Sequence, residues 1–432
     1  MRRIIFVLVC YREASILYMG QYFSVDTRSM HHVLLHNLSL PYAYPAPGLF
    51  DFDQNALFFA NSGDVVVTRK QIDRDYLTFL SEIGLFSPRI ALLYSKSHLD
   101  EKPDALFRDE ALHRNVQDLI SDESSLDTFV YTDAEHAWAR AIGLSTRENS
   151  GQYKQFSTKS SFRVRASESG LRVPLGFTVQ SSGAIAFRAA LLFFCGFSQL
   201  ILKHDDGMAG LGSVFLGRNI KDWVFQPVQR NLHLQLSDDG PYVLEGWYER
   251  VLQSPSVQLY VSDTSADLLS VHVQTFETNR VTYKGCFSHQ WIHEPISVHL
   301  KETAQRFADT LRVLGYRGHM SLNAIVLDDD RVLWNEVNPR RVMSSYPAHI
   351  ASGVSFEGIH YGTTSITKAH WRGKRIGEVL HVLKSLLFTP SLHFGIVPYN
   401  YGLLASRGTL SVMAIGETKE DVTYLLDHVA TL

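Results

Sequence analysis

The stretch from Gly315 to Arg341, GYRGHMSLNAIVLDDDRVLWNEVNPRR, decides how this 432-residue chain is read. SLNAIVL and VLWNEVN flank the polar turn Asp328-Asp329-Asp330-Arg331, the pattern of a β-hairpin. Setting Leu327 opposite Val332 puts Asn323 directly across from Glu336, with Cβ atoms about 4.5–5.5 Å apart. The two-residue period of a strand carries Asn338 to the same face as Glu336. Three oxygen-bearing side chains thereby converge on one patch of an otherwise apolar strand pair, where they would be costly without a ligand. Oxygen donors of this kind suit Mg²⁺, which shares its octahedron with water and phosphate. Pro339 ends the strand, and Arg340 at its exit can hold a phosphate or carboxylate through two parallel hydrogen bonds. Arg317, just ahead of the first strand, is a second candidate cation. The turn aspartates are read as solvated.

Upstream lies a second informative stretch, KHDDGMAGLGSVFLG. Lys203 closes the strand QLILK, and Gly207, Gly210 and Gly212 follow in G-x-x-G-x-G order. No Gly-Lys-Ser/Thr follows, so this is not a Walker loop, and a strand rather than a helix comes next, so it is not a dinucleotide fingerprint. Glycines between two strands form a flexible hairpin whose bare N–H groups can approach an anion, and Lys203 can pair a phosphate.

The rest of the chain divides around these segments. In the first third, IIFVLVC, DVVVTR and RIALLYS read as buried strands, alternating with the helices LFRDEALHRNVQDLI and TDAEHAWARAIGL. That alternation predicts an α/β layer with a parallel sheet. PYAYPAPG (Pro41 to Gly48) is a loop by composition. From Ser145 to Gly170 the chain turns Ser-rich and mildly basic, which marks a boundary. SFRVRASESG reads as a helix ended by Gly170, and VPLGFTV as an edge strand because Pro174 cannot donate to a central ladder. The middle third is strand-rich: GSVFLG, YVLEGWYE, VQLYVSD, LLSVHVQTFE and RVTYKGC. In LKETAQRFADTLRVLG, the apolar positions Leu300, Ala304, Phe307, Ala308, Leu311 and Leu314 recur at helical spacing, with Gly315 placed to cap the end. Beyond Ala351 come a Gly/Thr/Ser segment, a helix near GEVLHVLKSLLF, and strands around FGIVPYN and GTLSVMAIGE, read as a small α+β appendage. The expected domains are 1–150, 151–350 and 351–432.

Composition removes several function classes. Lys+Arg is 41 against Asp+Glu 44, a net charge of -3, which gives no support for a generic nucleic-acid or anionic-membrane binder. The apolar run Ala189 to Phe197 is too short to span a bilayer. The N-terminal MRRIIFVLVCYRE reads as a first buried strand rather than a leader. Cys10, Cys195 and Cys286 show no metal or redox spacing and read as buried thiols of a cytoplasmic chain. In H-Q-W-I-H (His289 to His293) the position that a zinc protease fills with Glu is Gln290, and Pro295 would end a helix, so no zinc site is expected. His31, His32 and His36 read as loop or surface residues. No G-x-S-x-G elbow is present. The aromatic runs LFDFDQNALFF and GWYERVLQSPSVQLY read mostly as core.

Taken together, these residues resemble the ATP-grasp superfamily over about residues 150–350. N-E-V-N-P-R at 335–340 is its most specific element, and G-Y-R-G before the hairpin is similar to the approach to its metal-binding strand. K-H-D-D-G-M-A-G-L-G resembles the loop that covers the phosphates. Q-Y-K-Q-F-S-T-K-S-S-F resembles the opening helix, which makes Lys159 the first nucleotide-binding lysine and Lys203 the second. V-L-E-G-W-Y resembles the hinge strand, so that Glu245 and the backbone near Trp247 would meet adenine. The resemblance implies a pre-ATP-grasp domain in front. The tail segments G-I-H-Y-G-T-T-S and F-G-I-V-P-Y-N are similar to pheganomycin-type peptide ligases.

Two departures stand out. Asn323 takes a place where the family usually has Asp. The stretch after the hinge reads Gln253-Ser254-Pro255-Ser256 where the family usually has a ribose-holding Glu, leaving Glu249 as the nearest substitute. The resemblance implies a ligase that joins a small-molecule carboxylate to an amino-acid or peptide amine, with ATP and Mg²⁺. Lys159, Lys203 and the loop of Gly207, Gly210 and Gly212 would hold the phosphates. Glu336, Asn338 and Asn323 would hold the metal, and Arg317 and Arg340 would steady the transferring group. Arg280 and Lys284 are candidates for the acid substrate. A homodimer is compatible with the resemblance. A phosphotransferase on the same fold and a nucleotide-binding protein without turnover are the rival readings.

Overall fold

The computed structural model describes residues 32–36, 52–95, 103–146, 152–206, 213–217, 226–227, 241–278, 282–354 and 358–432. The expected strand IIFVLVC, the loop Pro41 to Gly48, Cys10, His31, Gly207, Gly210, Gly212 and Arg280 lie outside them. Among the described residues, no helix is long and apolar enough to cross a membrane.

The first unit is a parallel sheet of β1 (His32–Leu35), β2 (Val65–Thr68), β3 (Ala91–Tyr94), β4 (Ser125–Thr128) and β5 (Ser145–Thr146), in the order β3-β2-β1-β4-β5. Helices α1 (Arg74–Glu82), α2 (Glu110–Gln117) and α3 (Asp133–Ile142) belong to it. VVVT of β2 is buried throughout, as a parallel strand covered on both faces must be. Two expectations change here. His32 opens β1, and His36 at its exit is fully buried between the Tyr346 hydroxyl (3.0 Å) and the Asp127 carboxylate (3.3 Å). Burial lowers the His36 imidazole. Burial alone would raise Asp127, but Arg341 and His36 outweigh it and hold the carboxyl well below its ordinary range.

The second sheet, in the order β6-β10-β7-β8-β9, comprises β6 (Gly176–Val179), β7 (Gln199–His204), β8 (Ser213–Gly217), β9 (Gln226–Pro227) and β10 (Tyr242–Gly246). β6 is an edge strand, as Pro174 ahead of it requires. Helices α4 (Gln152–Ser157) and α5 (Lys159–Glu168) precede this sheet, and α6 (Ser182–Phe194) packs on it. Gly170 follows α5 at φ 70°, the left-handed conformation that ends a helix cheaply only with glycine. Cys195, expected to be buried, caps α6 and is exposed beside the solvent-facing Phe194, because the apolar run there is a helix end and not a core strand.

The third sheet has nine strands. β11 (Val251–Gln253) and β12 (Pro255–Val261) run in succession along one edge of β15 (Gly318–Leu327), and β16 (Val332–Asn338) lines its other edge. Beyond β12 the order continues through β13 (Ala266–Phe276), β14 (Tyr283–Ser288), β17 (His360–Thr367), β19 (Thr409–Gly416) and β18 (Gly395–Tyr399). Helix α7 (Glu294–Val313) packs Leu300, Ala304, Phe307, Ala308 and Leu311 against β12 and β13, as their spacing predicts, but Leu314, expected on the same stripe, caps the helix end and is 41% exposed. Helices α8 (Ser345–Val354), α9 (Ile376–Val382), α10 (Leu404–Arg407) and α11 (Lys419–Thr431) complete the C-terminal part. The sheet runs on across residue 350: Phe287 of β14 pairs with Gly362 of β17. The tail also shares a core with the first unit, in which Leu34, Leu57 and Tyr76 pack with Trp371, Ile396 and Val412.

The decisive hairpin forms with one correction. At the turn, Val326 rather than Leu327 lies opposite Val332, and the Leu327 N–H donates to the Arg331 carbonyl at 2.9 Å. The ladder proceeds through Ile325–Leu333 and Ala324–Trp334 and then jumps to Asn323–Glu336. Asn335 is the extra residue of a β-bulge, and it restores the Asn323–Glu336 pair.

Candidate functional site

Between the second and third sheets lies a cavity of about 690 Å³, a size suited to a small organic ligand. β7 and β10 contribute Ile201, Lys203, Glu245 and Gly246 to its wall, and the chain leaving β10 adds Trp247 and Tyr248. The hairpin contributes Asn323, Ile325, Asn335 and Glu336. Lys159 enters from the start of α5, and Gln274, Phe287 and Trp291 from the far side of the large sheet.

The two lysines meet because the N-terminus of α5 is docked on the end of β7. Asp205, two residues beyond Lys203, accepts from the backbone N–H of Ser160 (2.6 Å) and from its hydroxyl (2.7 Å). The Lys159 N–H donates to the Asp205 carbonyl at 3.1 Å. A carboxylate at a helix start also complements the helix dipole. Lys159 is 9% exposed. Burial lowers its ammonium, the facing Glu336 raises it, and nearby Lys203 lowers it again.

Lys203 is held in turn by Glu245, which is 2% exposed. One carboxylate oxygen accepts from Lys203 Nζ and the other from Arg163 Nη1, each at 2.5 Å. Arg163 also donates to the carbonyls of Pro174 and Gly176, both at 3.0 Å. The sequence sets Glu245 against adenine; in the structure its two oxygens face cations. Trp247 stands at the chain crossing, with its N–H on the Gln199 carbonyl (2.9 Å) and its ring edge-on to Phe215 at 4.8 Å.

On the hairpin, Asn338 Nδ2 donates to Glu336 Oε1 at 2.6 Å, and Asn338 Oδ1 accepts from Arg340 Nη2 at 2.8 Å. Asn323 Oδ1 accepts from the Ser321 hydroxyl at 3.0 Å. Each amide oxygen keeps a second lone pair. Among the described residues, no cluster of three or more His, Cys, Asp or Glu is placed to hold a metal ion. A cation here would rest on one carboxylate and on amide oxygens, an all-oxygen donor set that fits Mg²⁺ and leaves room for phosphate and water.

The predicted residues fall into two groups. Lys159, Lys203, Glu245, Trp247, Asn323 and Glu336 line the one cavity. Asn338 and Arg340 stand behind Glu336 as a hydrogen-bonded chain, with Arg340 buried over the Phe129 ring at 5.5 Å. Arg317 and Lys284 are not brought to the cavity. Arg317 lies six positions before Asn323, about 20 Å of extended strand, and is pinned by Asp263 at 2.6 Å and by the carbonyl of Arg312 at 2.8 Å. Lys284 sits at a bulge of β14, between the pairs Phe276–Tyr283 and Thr275–Gly285. Sequence reasoning missed Arg163, Asp205, Asn335 and Trp291. Arg163 was recoverable, because it lies four residues after Lys159 on the same helix face.

Residues 53–144 match the family described as "Pre ATP-grasp domain". No curated protein matches the chain by sequence. Among solved structures, it is similar to an ADP complex of purK, N5-carboxyaminoimidazole ribonucleotide synthetase, at 14% identity and TM-score 0.56, covering 93% of this chain and 95% of that one. A biotin carboxylase from Campylobacter jejuni in complex with β,γ-ATP matches at 14% identity and TM-score 0.60, covering 93% and 92%. N5-carboxyaminoimidazole synthetase from Staphylococcus aureus complexed with ADP matches at 13% identity and TM-score 0.54, covering 93% and 96%. At such identities the likeness is one of fold. The chain has the ATP-grasp fold with a pre-ATP-grasp domain in front.

Proposed function

We propose that the chain is an ATP-dependent carboxylate–amine ligase that forms a peptide-type amide bond through an acyl phosphate. The observation that carries this reading is one cavity, on an ATP-grasp fold, that joins Lys159 and Lys203 to Glu336 and Asn323. The likeness to enzymes whose structures hold ADP or an ATP complex supports ATP as the nucleotide. In this reading the base lies at the hinge beside Trp247, between Ile201 and Ile325. Lys159 and Lys203 hold the α- and β-phosphates, with Glu245 and Arg163 fixing where Lys203 points. Glu336, Asn323 and Asn338 would hold Mg²⁺, which when bound neutralises phosphate charge. Arg340 keeps Asn338 turned toward Glu336 and, in this reading, steadies the developing oxyanion.

The chemistry balances in two steps. An oxygen of the substrate carboxylate bonds to the γ-phosphorus while the bond to the β–γ bridging oxygen breaks, and ADP leaves. The amine nitrogen then bonds to the acyl carbon, loses a proton, and the carbon–oxygen bond to phosphate breaks. The protein contributes positioning and charge, and closure over the site keeps water from the acyl phosphate.

The test is ADP release over a panel of carboxylates and amines, with bicarbonate included as the smallest acid, followed by mass spectrometry of the product. Release of ADP and phosphate that requires both an acid and an amine supports the ligase. A stable phosphorylated product formed without amine would make the chain a phosphotransferase. ATP binding without turnover across the panel would make it a nucleotide-binding protein.

A further inference from the structure

We propose that the side-chain oxygen of Asn335 accepts a hydrogen bond from a ribose hydroxyl of the nucleotide. The inference rests on the reading that the cavity holds ATP, and it gives a role to the first residue of the N-E-V-N-P-R stretch, which the sequence reading left without one.

Two observations carry it. As the extra residue of the bulge, Asn335 faces the cavity beside Glu336 instead of alternating into the core. Its Oδ1 is buried and has no hydrogen-bond partner, a deficit of about 1–3 kcal/mol unless a ligand makes the bond.

Its height on the sheet identifies the group that makes it. Along β15, Asn323 marks the cation end, while Val326 and Leu327 pair with Gln253 and Val251, just beyond the hinge. Asn335 lies between these ends. A base at the hinge and phosphates at Lys159, Lys203 and Glu336 put the sugar over Asn335. A sugar hydroxyl donates, and the orphaned carbonyl oxygen accepts. The residues after the hinge are engaged elsewhere: Gln253 Nε2 donates to the Trp291 carbonyl (2.8 Å), and Glu249 Oε1 accepts from the Ser198 hydroxyl (2.5 Å).

The experiment is calorimetric titration of the full chain, with Mg²⁺ present, by ATP, 2′-deoxy-ATP and 3′-deoxy-ATP. Wild type, Asn335→Leu, Asn335→Ala and Asn335→Asp are compared, with thermal unfolding to confirm that each is folded. The wild type should bind ATP about 5–150-fold tighter than one of the deoxy analogues, as leaving the buried acceptor unpaired implies. Asn335→Leu and Asn335→Ala should bind ATP no better than that analogue, while Asn335→Asp keeps the preference. If Asn335→Ala discriminates as the wild type does, the proposal is overturned. It is also overturned if all three nucleotides weaken equally and extra Mg²⁺ restores them, since Asn335 would then be a metal ligand. A wild type that binds no ATP defeats the nucleotide reading itself, which is a different result from an undiscriminating wild type.

Discussion

Replacing Glu245 with alanine should cost the fold about 3–5 kcal/mol, the usual loss when one partner of a buried ion pair is removed. The estimate needs little discount for solvent, because Glu245, Arg163 and Lys203 have side chains only 3%, 14% and 15% exposed. The two cations do not suffer equally. Arg163 keeps two backbone carbonyls, Pro174 and Gly176, whereas the Glu245 carboxylate is the partner that fixes Lys203. The loss should therefore concentrate on β7 and on the position of Lys203, beside Lys159. Glu245→Gln should be no rescue: its NH₂ would point a donor at one of two donors, leaving a loss of at least about 1–3 kcal/mol.

Urea unfolding gives the global number, and hydrogen exchange along β7 and β10 gives the local one. A double-mutant cycle with Arg163→Met should return a coupling energy above about 1 kcal/mol. ATP affinity should fall in parallel, since Lys203 loses its anchor. If Glu245→Ala unfolds within about 0.5 kcal/mol of wild type and its β7 amides keep their protection, the anchoring argument is wrong.

Lys159→Met should stabilise the nucleotide-free protein while abolishing ATP binding. Folding lowers the lysine's pKa, so its charged form is disfavoured in the folded state at neutral pH; a lower melting temperature for the variant would contradict this. Glu336→Ala should reduce turnover by at least about two orders of magnitude, and near-normal rates would sink the metal assignment. Asn323→Asp should lower the Mg²⁺ concentration needed for half-maximal nucleotide binding, because it adds a charge to a site with one carboxylate; an unchanged Mg²⁺ dependence would remove Asn323 from the ligand set. His272 is fully buried, and burial holds its imidazole down at about 3. The unfolded chain takes up that proton near 6.5, so stability is complete above that pH and is lost as pH falls toward 3, at up to about 1.4 kcal/mol per pH unit. His272→Gln should flatten this part of the curve, and equal slopes in the two proteins would show that another group carries it.

Much of this arrangement was legible where hydrophobic pattern and local spacing govern. The buried run of β2, the helical stripe of α7 and the alternation of the decisive hairpin all announce themselves over a few residues. Contacts set by tertiary approach were not legible. β17, HYGTTSIT, reads as a polar segment, yet it is an inner strand between β14 and β19. Hydroxyls satisfy it across the sheet: Thr363 accepts from the Cys286 N–H at 2.8 Å, Ser365 meets Ser411 at 2.9 Å, and Thr367 meets Thr409 at 2.8 Å. No hydropathy rule sees such pairs, because each half is remote in sequence. Arg317 failed for a related reason. Its motif position suggested a cation for the site, but Asp263 in the preceding hairpin turn holds it at the opposite end of β15.

The hairpin itself shows how a pairing can be right at one end and off by one at the other. Continued without interruption from the observed Val326–Val332 pair, the ladder would put Asn335 across from Asn323, and Glu336 across from Leu322. Leu322 is fully buried among apolar neighbours. Glu336 would then turn a carboxylate into the core, where an isolated charge is untenable, and the cavity would lose its one hairpin carboxylate. The bulge at Asn335 removes that conflict by adding one residue, which returns Glu336 and Asn338 to the face that Asn323 occupies. The same extra residue keeps the Trp334 ring in the core on the other side of the bulge, buried to 1% exposure. One inserted asparagine thus reconciles two demands on a seven-residue strand: an apolar face that packs against helices, and a polar face that meets a ligand. Its own amide, left without a partner by that geometry, becomes part of the polar face it creates.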